Sequence, residues 1–397
     1  MDNPTATIPG NNSEAEKRLA PDDTNGHLPP VFLMVNSLET GGSERQFVAL
    51  AQSLDRGAYS LHLGCLAKKG AFLDGLEPMA AFGLGGSMYS AQSLRARVQL
   101  ARHLRRNEIA LAHAFDFYTN LILIPVARMA GVPVVLGSQR QIGDLLTKAQ
   151  FSAQLLSFRW SDTVICNSQA AAEHLRENGI PTHKLAVIRN GLPPSAFAAA
   201  TPCLPRVPGL LRVGMIARMN HRSKNHAGLL RAAARVAPRF ASVEFVLAGD
   251  GPYRGELELE AQNLGLGPQV RFLGDRRDIP ALLASVDITV LPSSSESLSN
   301  SIIESMAAGV PVVATRVGGN VELVNSDRGT LVTAGNDLEL ATAIESLLRD
   351  EPLRQRLGQN ARDFALANFT IDRMRRDHEA LYANLLKRKG WRGKPRP

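Results

Sequence analysis

The chain predicts an α/β protein of two halves, each a parallel sheet covered by helices. Two observations carry this. Short apolar runs alternate with amphipathic helical stretches from Val31 onward, as expected of parallel strands buried on both faces. The alternation stops once, in a proline-rich stretch, and then restarts. At 397 residues, 44% hydrophobic and 21% charged, the chain is long and apolar enough for two packed domains.

Residues 1–29 are rich in Pro, Asn, Asp, Thr and Gly without periodicity and read as a disordered arm. A first domain, 30–194, opens with the strand Val31–Asn36. The glycine pair Gly41-Gly42 follows, then the helix Ser43–Leu54 with Phe47, Leu50, Ala51 and Leu54 on one face. Further strands are predicted at Leu61–Leu66, Ile109–His113, Val132–Leu136 and Thr163–Cys166, with helices at Leu94–Arg106 and Gln169–Asn178. The longest apolar run, Leu121–Leu136, is cut by Pro125, Arg128, Gly131 and Pro133. A membrane span needs ~20 apolar residues, so this run reads as helix, turn and buried strand.

Prolines cluster between Pro193 and Pro208, and 195–209 reads as a linker. The second domain, 210–370, has predicted strands at Leu211–Ile216, Val243–Ala248, Val270–Leu273, Ile288–Leu291 and Val312–Ala314. Helices are predicted at Ala227–Val236 and Asn300–Ala308. A last helix, 371–386, precedes a basic tail, 387–397. Two such halves form a deep cleft, and loops that follow strands carry the chemistry.

Cys65, Cys166 and Cys203 are too few and too scattered for a disulfide framework or a cysteine metal site. Residues 1–30 contain no secretory signal, so the expectation is a cytoplasmic protein. The net charge of +8 favours acidic partners. It is concentrated in the tail and in Arg95, Arg97, Arg102, Arg105 and Arg106. Arg95, Arg102 and Arg106 fall on one helical face, with Leu94, Val98 and Ala101 expected to pack inward. This predicts peripheral contact with an anionic membrane surface, against the plainer reading of a solvated face. Basic residues are not interleaved with aromatics, which argues against nucleic acid as a partner.

Three patterns carry chemistry. Gly41-Gly42, between a strand and a helix, lets backbone approach a phosphate at a helix N-terminus; a tight turn without ligand is the plainer reading. Arg218 and Lys224 lie on the loop after the first strand of the second half and suit a diphosphate. Glu296 and Glu304 are eight residues apart, one on a loop and one about a turn into the next helix. They place acceptors at two heights along an extended polar ligand such as a sugar and a ribose. Asn300 and Ser301 sit at the helix start, where backbone N–H groups face an anion.

With Gly309–Thr315, Gly318-Gly319 and Glu322, these residues make a resemblance specific. The second half resembles the nucleotide-sugar domain of the family 4 glycosyltransferases, whose fold is GT-B, two facing Rossmann-like domains. The family's glutamates separated by seven residues match Glu296 and Glu304, and its basic pair matches Arg218 and Lys224. Its glycine pair matches Gly41-Gly42. Leu247–Pro252, which contains Gly249, and Phe272-Leu273-Gly274 fit in order and spacing. The resemblance spans roughly residues 31–386.

It implies a retaining, metal-independent transfer of a sugar from a nucleoside-diphosphate sugar. That donor is a substrate, and no cofactor or metal is implied. Arg218 and Lys224 would neutralise the diphosphate, Glu304 accept from the ribose and Glu296 meet the transferred sugar. Backbone from Phe272 to Arg276 would meet the base, and Gly42 the phosphate or sugar. The acceptor would be a glycan or lipid-linked precursor held by the first domain, in cell-envelope glycan synthesis. The last helix would return to that domain, as in the family.

Two positions depart from the family pattern. Ser297 stands where a glycine is common. Where many members carry a histidine, the chain reads Gly137–Gln141, with Gln139 or Arg140 nearest; neither is a general base at neutral pH. His113, after another strand, is a candidate for the cleft wall, with a structural histidine as the plainer reading. Rival readings are a catalytically silent nucleotide-sugar-binding partner and an epimerase of the same architecture. Ser297 and the missing histidine permit the first, while the intact Arg218, Lys224, Glu296 and Glu304 oppose it. The second would need an acid–base cluster beyond the two glutamates.

Overall fold

The computed structural model describes residues 28–391 except 40, 74, 75, 77 and 143–145. Most of the predicted arm, residues 1–27, and the end of the basic tail, 392–397, lie outside the described residues.

The first domain contains β1 (Pro30–Val35), α1 (Gly42–Ser53), β2 (Ser60–Cys65), β3 (Met79–Ala81), α2 (Ala91–Arg106), β4 (Leu111–Ala114), α3 (Phe117–Ala130), β5 (Val134–Gln139), α4 (Lys148–Trp160), β6 (Thr163–Cys166), α5 (Gln169–Glu177) and β7 (Leu185–Val187). The second contains β8 (Leu211–Ile216), α6 (His226–Val236), β9 (Val243–Ala248), α7 (Arg254–Asn263), β10 (Val270–Gly274), α8 (Ile279–Leu283), β11 (Ile288–Leu291), α9 (Asn300–Ala307), β12 (Val312–Thr315), α10 (Asn320–Leu323), β13 (Gly329–Val332), α11 (Asp337–Arg349) and α12 (Glu351–Asn368). The last helix among the described residues is α13 (Ile371–Arg388).

Both sheets are parallel, in the orders β3-β2-β1-β4-β5-β6-β7 and β10-β9-β8-β11-β12-β13. Each reverses direction beside its first strand, between β1 and β4 and between β8 and β11. A doubly wound sheet opens a crevice there, at the carboxyl ends of its strands. In the first domain, α2 to α5 pack on one face of the sheet, while α1 and α13 cover the other around Leu33, Phe47, Leu50 and Tyr382.

The chain crosses between domains twice. The crossings pair side by side: the Leu192 amide donates to Phe369 at 2.7 Å and the Ile371 amide to Leu192 at 3.1 Å. Gln46 on α1 holds the first crossing through both its oxygen and its nitrogen to Gly191. The segment read as a linker, 195–209, is no free span. It lies along the second domain, with the Cys203 amide donating to Ala281 and Arg206 paired with Asp287. Its prolines prevent regular structure without preventing packing.

Two strands start later than the apolar pattern suggested, β4 at Leu111 and β5 at Val134. Pro133 lacks an N–H, so β5 opens at Val134 and runs on to Gln139, which places Gly137, Ser138 and Gln139 inside the strand. In α2 the buried stripe is Ser93, Ala96, Leu100 and Leu104. Leu94 and Val98, expected to pack inward, face outward. Leu100 and Leu104, one turn apart, give the sheet a larger aliphatic surface, and Ser93 closes its hydroxyl on the Met88 carbonyl.

Candidate active site

Loops after β8, β9 and β11 form the second domain's side of the crevice. Gly249 follows β9 with φ of 143°, and a Cβ there would lie 2.0 Å from the Ala217 carbonyl oxygen. Only glycine permits this approach, and it braces the backbone immediately before Arg218. The Gly249 amide donates to Gly274 at 2.8 Å, tying the ends of β9 and β10 together. The Phe272 and Leu273 side chains pack into the second domain's hydrophobic clusters, so backbone is what these positions can offer a ligand.

Arg218 is exposed, and its charge favours the ionised carboxyls of Glu39 and Glu44 on the first domain. Burial nevertheless pushes the Glu44 carboxyl upward. Lys224 ends a short turn that Asn225 closes with φ of 55°, capping α6 through its side chain.

Lys224 and Glu296 are bonded to each other, Nζ to Oε1 at 2.6 Å. Ser293 Oγ donates to the same carboxylate oxygen at 2.8 Å. Beneath this loop sit Gly318 and Gly319, where a Cβ would lie 1.8 Å from the Glu296 and Ser297 carbonyl oxygens respectively. The glycine pair therefore supports the Glu296 loop by close backbone packing.

Ser299 caps α9, leaving Asn300 and Ser301 in its first turn and Glu304 in its second. Glu304 is buried, and burial pushes its carboxyl upward while Arg45 pulls it back. Arg45 comes from the first turn of α1, directly after Gly41-Gly42, and its guanidinium pairs with the Glu304 carboxylate across the cleft.

The domains touch at two further places. Asn190 Nδ2 donates to Asn300 Oδ1 at 2.7 Å, and Arg140 Nη1 donates to Asn190 Oδ1 at 3.1 Å. Nearby, a Cβ on Gly42 would lie 2.9 Å from Asn300 Nδ2. On the other side, Ser297 Oγ donates to Asn167 Oδ1 at 2.6 Å, and the Ala170 amide at the start of α5 donates to Glu322 Oε1 at 2.9 Å. Ser297, where the family commonly has glycine, thus makes a contact between domains. Gly41 packs against Glu44 of its own helix, whose carboxylate a Cβ would overlap.

The structure brings Gly42, Asn300, Glu304, Glu296 and Lys224 to one crevice and excludes two candidates from it. Gln139 is buried in β5 and accepts from Gln154 at 2.7 Å. His113 is fully buried, with Nδ1 at 2.7 Å from the Tyr382 hydroxyl and Nε2 at 2.8 Å from Ser138 Oγ. Burial beneath α13 holds its ring neutral, well below the usual histidine range, so it is a structural histidine. Arg140 stays at the crevice, stacked over Phe115 at 4.8 Å, and burial lowers its pKa to about 10. Sequence reasoning missed Arg45, Asn167 and Asn190. Each owes its role to a partner more than a hundred residues away, and no local pattern reports that.

Comparison with known proteins finds matches to both domains. The family model "Glycosyl transferases group 1" matches residues 207–364, and "Glycosyltransferase Family 4" matches residues 40–196. The chain belongs to glycosyltransferase family 4.

Among its relatives, the lipopolysaccharide core biosynthesis glycosyltransferase LpsE of Rhizobium meliloti is 32% identical over 58% of this chain and 65% of its own length. The UDP-Gal:alpha-D-GlcNAc-diphosphoundecaprenol alpha-1,3-galactosyltransferase of Escherichia coli is 25% identical over 70% of this chain and 76% of its own. The Anabaena HepE structure in complex with UDP and glucose superposes with a TM-score of 0.79 at 25% identity, covering 90% of this chain and all of that one. The two-domain fold of this family 4 member is accordingly GT-B.

Proposed function

We propose that the protein is a retaining, metal-independent glycosyltransferase that moves a sugar from a nucleoside-diphosphate sugar to a lipid-linked or polysaccharide precursor at the cytoplasmic side of the cell envelope. The observation that carries the reading is the convergence of Arg218, Lys224, Glu296 and the N-terminus of α9 on the β8–β11 crevice, facing Gly42. HepE, solved with UDP and glucose, supports a UDP-sugar donor. The relative that acts on a diphosphoundecaprenol sugar supports a lipid-linked acceptor.

In this reading the donor's diphosphate lies between Arg218, Lys224 and the first-turn amides of α9. Their fixed positive charge stabilises the negative charge that develops on the leaving phosphate. Glu304 accepts from the ribose hydroxyls and Glu296 from the transferred sugar. Arg140 and the α1 N-terminus close the crevice over the sugar. His113, the histidine weighed for this role, is buried away from the crevice, and in this reading the departing phosphate takes the acceptor hydroxyl's proton as the new bond forms on the same face. Assaying donor breakdown and transfer by the full chain, with proton NMR of the product anomer, tests this. Retained configuration without added metal is expected; an inverted product or a strict metal requirement contradicts it.

A further inference from the structure

The first domain brings its own group of polar side chains to the crevice. β1, β4 and β5 end side by side there. The Asn36 amide donates to Asp116 at 2.6 Å, and the Arg140 guanidinium lies 4.8 Å from the centre of the Phe115 ring. Glu44, in the first turn of α1, sets a carboxylate among the charges of Asp116, Arg218 and Arg140.

A donor and an acceptor in this group are unsatisfied. Arg140 gives Nη1 to Asn190 and makes no other hydrogen bond among the described residues; its Nε is buried without a partner. The Glu44 carboxylate is half-buried and, among the described residues, bonds only the backbone of its own residue. Asp116 differs, because the amides of Asn36 and Thr119 already occupy its two oxygens. A polar group held out of water without a partner is unfavourable, so a ligand that pairs both Glu44 and Arg140 gains from it.

The charges narrow the ligand. Arg140 is flanked by two carboxylates, Glu44 and Asp116. A phosphate or carboxylate entering here meets more negative than positive charge on the first domain. An apolar group would leave both side chains unpaired. Two adjacent hydroxyls satisfy them, one donating to the carboxylate and the other accepting from the guanidinium. An uncharged pyranose presents such a pair.

We propose that Glu44 and Arg140 form the subsite for the acceptor's terminal sugar, holding two adjacent hydroxyls of an uncharged pyranose and so setting which hydroxyl faces the donor. This rests on the donor reading above and adds the class of the acceptor group and the residues that select it. A Cβ on Gly42 would lie 2.9 Å from Asn300 Nδ2, so a sugar held by Glu44, two residues on, lies beside the start of α9. Glu44 takes up no proton in the transfer; the nucleophile's proton still goes to the departing phosphate. A glutamate in a first helical turn also stabilises that helix, and the test separates this role from the proposed one.

The test uses the full chain, the nucleotide sugar that gives the largest thermal shift, and p-nitrophenyl hexosides, hexuronides and monodeoxy hexosides as acceptors. Transfer to at least one neutral hexoside is expected, with the hexuronide of the same configuration used more weakly. Glu44→Gln keeps the shape and removes the charge. It should raise the acceptor KM about tenfold and leave UDP affinity unchanged. One monodeoxy hexoside should cost the parent about tenfold and the Glu44→Gln variant little more, because the lost hydroxyl is the one that Glu44 holds. Arg140→Gln should do the same for the neighbouring hydroxyl.

An acceptor KM unchanged in Glu44→Gln, deoxy penalties equal in parent and variant, a preference for the hexuronide, or no transfer to any neutral hexoside by protein that binds UDP each overturns the proposal. A lowered melting temperature with unchanged acceptor KM assigns Glu44 to the helix alone and overturns it too. Failure of the parent to bind UDP defeats the donor reading instead.

Discussion

Arg45, three residues past Gly42 on α1, forms an ion pair with Glu304 on α9, joining the two domains across the crevice. Glu304 is buried and its carboxyl is pushed upward by burial, so the guanidinium is what favours its ionised, hydrogen-bond-accepting form. The residue proposed to hold the ribose therefore depends on the opposite domain.

Arg45→Ala should weaken nucleoside-diphosphate binding by ~1–2 kcal/mol, a modest figure because Arg45 is half exposed. The sign with pH follows from Glu304. Its acceptor form is present above its pKa and lost as pH falls, and removing Arg45 raises that pKa further. The defect should thus grow on acidification, and Arg45→Lys should restore part of it. Calorimetric titration with UDP at two pH values checks this; a defect independent of pH would assign Arg45 a purely steric role.

Lys224→Ala should cost ~1.5–3 kcal/mol of diphosphate affinity, the worth of a charge-assisted contact. Unaltered UDP affinity in a folded variant would place the diphosphate elsewhere.

The two glutamates should separate. Glu304→Gln should weaken both the intact donor and free UDP. Glu296→Gln should weaken the intact donor but not UDP, because it frees Lys224 from its 2.6 Å bond and leaves that cation fully available to phosphate. Parallel titrations with UDP and UDP-sugar measure both; equal losses for both ligands in both variants would merge their roles.

α13 should be acid-sensitive. His378 is buried on it against His113, and burial lowers its pKa from 6.5 to about 3. The unfolded chain therefore binds a proton below about pH 6.5 that the folded chain refuses. Stability should fall from there down to about pH 3, by up to ~1.4 kcal/mol per pH unit for each such histidine. His378→Gln should flatten this slope in thermal melts at pH 5 and above. An unchanged slope would assign the acid sensitivity to other groups.

The sequence made the repeating strand–helix units legible because buried parallel strands are short apolar runs and their helices are amphipathic. The Arg218–Lys224 loop and the Glu296–Glu304 segment were legible as local spacings. What stayed hidden was rotation and long-range pairing. Leu94 and Val98 have the same hydrophobicity whichever way α2 turns, and only the sheet's choice of Leu100 and Leu104 settles it. Arg45, Asn167 and Asn190 carry no signal until two folded domains meet. His113 looked available to the cleft because nothing local announces that α13 closes over it with Tyr382.

The central claim, a nucleoside-diphosphate sugar held between Arg218, Lys224, Glu296 and Glu304, is tested most directly by thermal shift of the full chain against a panel of nucleotide sugars, in parallel with Lys224→Ala. A ligand at about 100 times its dissociation constant adds ~2.7 kcal/mol to stability. The account predicts a clear upward shift for at least one nucleotide sugar and little or none for the variant. No shift with any member, or an equal shift in Lys224→Ala, would contradict it.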